Sequence, residues 1–184
     1  MNVFFDIGTN NFQGYDELAK TLNIDESWHK IFVEPNPNFL NNEDWITKLS
    51  SIKNSNLVSG ALCCNCSNKT AELMFIEGFN DLDQGASIFN DVWKKNNIVK
   101  KTISVNTFSF DEIAKKYLNE DWYIKMDCEN CEYYCLKDMI EKYHENIKYI
   151  VCEFHYPVPE GHEHYKEEIF NLAKKYNVKL KEWK

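Results

Sequence analysis

The stretch Val3-Phe4-Phe5-Asp6-Ile7-Gly8-Thr9-Asn10 decides the fold class: an apolar run ends in a carboxylate and, two residues on, in a glycine. A buried strand that stops at Asp-x-Gly leaves backbone N–H groups and a carboxylate at the mouth of a sheet, where a small polar ligand can be held. Two later segments repeat this grammar. Lys30-Ile31-Phe32-Val33 runs into Glu34-Pro35-Asn36-Pro37, and Trp122-Tyr123-Ile124-Lys125-Met126 runs into Asp127-Cys128-Glu129. Glu34 lies one βαβ unit, about 30 residues, after Asp6. An acid at the end of that second strand accepts hydrogen bonds from ribose hydroxyls in nucleotide-binding folds; the competing reading is a strand-end residue held extended by Pro35.

Outward from these anchors, strands are expected near Asn2–Asp6, Lys30–Glu34, Leu57–Cys63, Trp122–Asp127, Lys148–Phe154 and Val178–Lys181. Helices are expected near Tyr15–Leu22, Phe39–Leu49, Phe110–Tyr117, Glu132–Tyr143 and His164–Tyr176. Ser109-Phe110-Asp111-Glu112 fits a capping box. Such alternation implies a mainly parallel sheet covered on both faces, with order 3-2-1-4-5. Between Thr70 and Val105 the pattern breaks into the short pieces Ala71–Ile76 and Thr102–Val105 joined by the polar Gly78–Ser87 stretch, so residues 70–105 read as a hairpin or lid insertion. Histidine 155 follows the apolar Tyr149-Ile150-Val151-Cys152 at a carboxyl end where the other candidates converge, as ligands do in open α/β sheets. A histidine satisfied by local hydrogen bonds is the plainer reading.

Four blocks now stand in order: Asp6-Ile7-Gly8-Thr9-Asn10, Val33-Glu34-Pro35-Asn36-Pro37, Ile124-Lys125-Met126-Asp127-Cys128-Glu129-Asn130-Cys131-Glu132 and Val151-Cys152-Glu153-Phe154-His155. Together they resemble the FkbM-like family of S-adenosylmethionine-dependent O-methyltransferases, over nearly the whole chain. The chain departs from the family's pattern at Phe12, where a second glycine is usual, and at Asn130, where a glycine follows the acidic pair. Asn tolerates left-handed backbone; Phe12 is expected to stack on or crowd the ligand.

The resemblance implies a Rossmann-like class I methyltransferase fold, an α/β three-layer sandwich, trimmed at its C-terminus before the usual antiparallel seventh strand. It implies S-adenosyl-L-methionine as cofactor, held by Asp6, Gly8, Thr9, Asn10, Phe12, Glu34, Pro35, Asn36, Ala61, Leu62 and Asp127. It also implies methyl transfer to a hydroxyl of a sugar or similar polyol. Catalysis then falls to His155 as general base, with Glu129 or Glu153 orienting it or sharing the work, and with Lys125, Glu129 and Glu132 lining the acceptor side. No metal is assigned, although three carboxylates around one histidine are an alternative home for a divalent cation.

Composition bounds the rest. With 184 residues and no Pro/Gly/Ser-rich linker or repeat, residues 1–184 read as one domain. Strand one begins at the first methionine and no apolar run approaches the roughly 20 residues of a membrane helix, so a soluble, cytoplasmic protein is expected. The net charge is −8 and arginine is absent, which argues against nucleic acid and for a neutral small-molecule or glycan acceptor. An uncovered sheet edge makes a homodimer an expectation. The seven cysteines form the groups Cys63/Cys64/Cys66 and Cys128/Cys131; a four-thiolate zinc site is disfavoured because strands three and four should lie roughly 14 Å apart. A redox pair at Cys128/Cys131 is the minor reading, and reduced thiols the main one. His162 and His164 read as loop residues. A degenerate cofactor-binding protein and a nicotinamide-dependent oxidoreductase are the alternatives to a methyltransferase, the latter lacking G-x-G-x-x-G after strand one.

Overall fold

The computed structural model describes residues 1–64, 66, 68–76, 85–89 and 91–183. Residues 78–84 of the polar stretch in the insertion lie outside them. Six strands form the central sheet: β1 (Asn2–Ile7), β2 (His29–Glu34), β3 (Ser55–Ser59), β7 (Asp121–Met126), β8 (Ile147–Cys152) and β9 (Lys179–Glu182). Their order is β3-β2-β1-β7-β8-β9, and every pairing is parallel.

Side-chain alternation along these strands builds the two flanking layers. Val3, Phe5 and Ile7, with Ile31, Val33, Ile124 and Met126, face one core with α5 (Phe110–Ala114), α6 (Cys131–Tyr143) and α7 (Tyr165–Lys175). Phe4 points the other way, onto Leu18 of α1 (Gln13–Leu22), and Phe32 packs with Phe39 of α2 (Pro37–Leu40) and Trp45 of α3 (Glu43–Ser51). The fold is thus an α/β three-layer sandwich of Rossmann-like type, as the alternation requires. Its edge beyond β8 is the parallel strand β9.

Local chemistry explains where the expected elements shift. The helix expected over Phe39–Leu49 divides because Asn36 and Asn42 each cap a separate helix, accepting from the Asn38 and Trp45 amides. The box at Ser109 and Glu112 is present at the start of α5. The expected strand Leu57–Cys63 breaks at Gly60. A Cβ there would lie 2.6 Å from the Asn106 carbonyl and from the Phe108 ring, a close approach only glycine permits. Beyond it, β4 (Ala61–Leu62) leaves the main sheet and pairs with β6 (Val99–Phe108), which pairs antiparallel with β5 (Thr70–Ile76). A short helix, α4 (Asp91–Lys95), precedes β6. Residues 70–105 therefore supply β5 and most of β6 to a second, three-stranded sheet that β4 completes.

Candidate active site

The site lies at the carboxyl ends of β1, β2 and β7, where the strand order reverses between β1 and β7. Open α/β sheets form ligand crevices at such switch points. Gly8 turns the chain with φ 76°, and a Cβ there would lie 1.7 Å from the Asp127 carbonyl oxygen. The Asp-x-Gly signature thus lets two loops touch. The cleft beside it encloses about 610 Å³, open solvent included.

Glu34 closes one end of the cleft. Its buried carboxylate accepts from the Asn10 amide at 2.7 Å and the Asn36 amide at 2.8 Å. Burial outweighs these bonds and raises its pKa to about 7. Asn10, Pro35, Asn36, Ala61 and Leu62 line the same end, with Phe39 adding an apolar wall. Gly85, Ala86 and Ile88 of the insertion also line it. Ser87 anchors that segment by donating from its hydroxyl to the Glu129 carbonyl and by exchanging backbone bonds with Met74.

At the other end, Asp127 and Glu129 line the cleft, and His155 stands behind them. The fully buried Glu132 carboxylate accepts from the His155 amide at 2.8 Å and lies 3.1 Å from its Nδ1. Nε2 therefore faces Asp127 at 3.4 Å, Glu129 at 3.6 Å and Glu153 at 3.9 Å. Burial opposes a charge on this imidazole, but Asp127, Glu132 and Glu129 outweigh it and raise the pKa to about 11. Glu129 is shifted by burial to about 7 although His155 pulls the other way. Burial also raises Glu153.

Five site residues expected from sequence need correction. The carboxylates around His155 keep it an imidazolium at neutral pH, so it cannot accept a proton there. Lys125 does not line the acceptor side: its side chain is 1 % exposed, with Nζ on the Gly8 carbonyl and within 3.2 Å of Asp6 and 3.3 Å of Asp127. Asp6 lies behind the cleft as its partner, and Thr9 is a buried tie to the Asp6 and Val33 carbonyls. Phe12 turns away from the ligand space. Its backbone takes the left-handed φ of 67° that a glycine would supply, while its ring packs 5.2 Å from Phe32 and 4.8 Å from Trp45. Asn130 performs the parallel service at φ 82°.

The cysteines also differ from expectation. Because β4 crosses out of the main sheet, the argument from strand separation fails; Cys64 instead contacts Cys135 on α6. Cys63–Cys66 and Cys128–Cys131 are disulfide-bonded, leaving Cys64, Cys135 and Cys152 free. The second bridge spans the turn that presents Glu129. Sequence reading missed Cys128, Cys131 and Phe39 as cleft lining; the position of Phe39 directly after the Glu34-Pro35-Asn36-Pro37 block was the available signal.

The methyltransferase FkbM domain profile matches residues 6–178. The chain belongs to the FkbM methyltransferase family. The match spans every residue of the cleft described above. No curated protein and no solved structure matches the chain. Among the described residues, no helix of this FkbM domain is long and apolar enough to cross a membrane.

Proposed function

We propose that this FkbM-family protein is an S-adenosylmethionine-dependent O-methyltransferase acting on a hydroxyl of a sugar or similar polyol. The observation that carries the reading is the division of one cleft into two chemically distinct ends. The Glu34 end joins a carboxylate to an apolar slot formed by Phe39, Ala61 and Leu62. That donor set fits a nucleoside: each Glu34 oxygen has one backbone N–H partner and a second lone pair for a ribose hydroxyl, and the slot suits a planar base. When bound, S-adenosylmethionine supplies a methyl group made electrophilic by its sulfonium. The carboxylate-rich end favours that positive charge.

The acceptor chemistry then rests on Glu129. With a pKa near 7, its carboxylate takes the proton from an acceptor hydroxyl at neutral pH, the match of base strength to working pH that proton transfer needs. Asp127 stays ionised. Burial opposes this, but the Lys125 and His155 charges hold its carboxyl below the usual range. His155, as a cation, positions these carboxylates. A neutral polyol with several hydroxyls matches this set of acceptors.

Calorimetric titration with S-adenosylmethionine, S-adenosylhomocysteine and NADH, joined to methyl-transfer assays on a panel of sugars and polyols, tests the reading. Micromolar binding of the two sulfur nucleosides, with affinity reduced about 10-fold or more in Glu34→Gln, is expected. Binding of NADH alone would sink it. Binding without transfer to any hydroxyl would favour a cofactor-binding protein that has lost turnover.

A further inference from the structure

We propose that Asp127, Glu153 and His155 form a divalent-cation site, of the kind Mn²⁺ or Mg²⁺ occupies, at the acceptor end of the cleft. One ligand atom from each lies within 4.8 Å of the others. The Nε2 separations of 3.4 Å to Asp127 and 3.9 Å to Glu153 exceed a direct N–H···O bond of about 2.7–3.2 Å. They approach instead the spacing of neighbouring ligands around one ion, about 3.0–3.5 Å for metal–ligand distances of roughly 2.1–2.4 Å.

Two observations beyond the spacing of the three ligand atoms point to a cation. The imidazole is already oriented as a ligand: Glu132 holds Nδ1 and leaves Nε2 toward the gap, the arrangement that fixes tautomer and direction in metal-bound histidines. Glu132 is fully buried, its second oxygen, Oε2, has no hydrogen-bond partner, and its first is committed to this cluster. Charge points the same way. Around His155 stand Asp127, Glu129, Glu132 and Glu153, with Asp6 and Lys125 adjoining. A divalent ion entering here displaces the Nε2 proton, so that the carboxylates face the ion through a neutral imidazole in place of the imidazolium charge.

One imidazole with two or three carboxylates is a predominantly hard donor set, suited to Mn²⁺ and Mg²⁺ and poor for thiophilic ions. Because Asp127 also lines the cleft, the ion would lie where an acceptor hydroxyl arrives and would lower that hydroxyl's pKa. This catalytic meaning rests on the methyltransferase reading; the existence of the site does not.

The test is a Mn²⁺ titration of the chelator-treated full chain without cofactor, followed by the electron paramagnetic resonance signal of free Mn²⁺. One ion per chain, displaced by excess Mg²⁺, is expected. Glu153 is 42 % exposed, so Glu153→Gln should keep the fold, as checked by circular dichroism. It should weaken Mn²⁺ at least 10-fold, and Glu132→Gln should weaken it about 10-fold through loss of ring orientation. An undiminished free-Mn²⁺ signal in wild type, or equal affinity in wild type, Glu153→Gln and His155→Ala, overturns the proposal. Cofactor titration in excess chelator is read separately, so failure of either assay identifies which reading is wrong.

Discussion

Replacing Lys125 with methionine keeps the length and apolar stem of the side chain while deleting its ammonium, and the consequences follow from its three partners. Nζ lies on the Gly8 carbonyl, 3.2 Å from Asp6 and 3.3 Å from Asp127. Neither Asp6 oxygen has a hydrogen-bond partner, and the residue is wholly buried. Removing one member of a buried pair costs about 3–5 kcal/mol. For a domain of this size that is a fall in melting temperature of roughly 10 °C. The loss has a characteristic pH dependence. In the wild type, burial already lifts Asp6 from 3.8 to about 6 despite Lys125, and without the ammonium it rises further. An acid whose folded pKa is raised contributes stability that is full below its unfolded pKa and is lost as pH rises through the folded value. Lys125→Met should therefore approach wild type near pH 4 and fall progressively behind toward pH 8, and adding Asp6→Asn should recover part of the deficit. Urea denaturation at pH 4.5, 6 and 8 measures this directly. A variant with unchanged midpoints at pH 8 and no activity would refute the structural role and return Lys125 to the reacting groups.

Glu129→Gln should lower methyl transfer about 10²–10⁴-fold with little change in cofactor affinity, and should remove the rise in rate through pH 7 expected from the Glu129 pKa; a variant that keeps that limb would move the base elsewhere. Phe12→Ala should destabilise by about 3–5 kcal/mol because the 1 %-exposed ring packs on Phe32 and Trp45, and a variant of wild-type stability with weakened cofactor binding would place the ring at the ligand instead. Thiol titration of protein unfolded without reductant should count three free cysteines of the seven; a count of seven would mean that both bridges are open.

Much of this protein is legible in one dimension because local periodicity and turn chemistry are local physics. The run Val3–Ile7, the acid-and-glycine stop at Asp6 and Gly8 and the acid at Glu34 specify parallel strands ending at a common edge, and the Ser109–Glu112 box specifies its helix start. The ends of those strands also carry Asn10, Glu34, Asp127, Glu129 and His155 to one edge of the sheet.

What lies behind that edge was decided only by tertiary packing. Whether a lysine at a strand end reaches into a cleft or backward under a loop depends on which partners the neighbouring strand supplies. For Lys125 these are Asp6 and the Gly8 carbonyl, more than a hundred residues away. Gly60 sends β4 into a second sheet because the β6 backbone passes too close for a Cβ, a long-range steric fact that no local pattern carries. Phe12 becomes a core residue because Phe32 and Trp45 form its pocket from two other elements. The protonation of His155 is likewise collective. An isolated imidazole titrates near neutrality; four carboxylates brought from two loops and a helix start hold its proton, and only the folded chain assembles them.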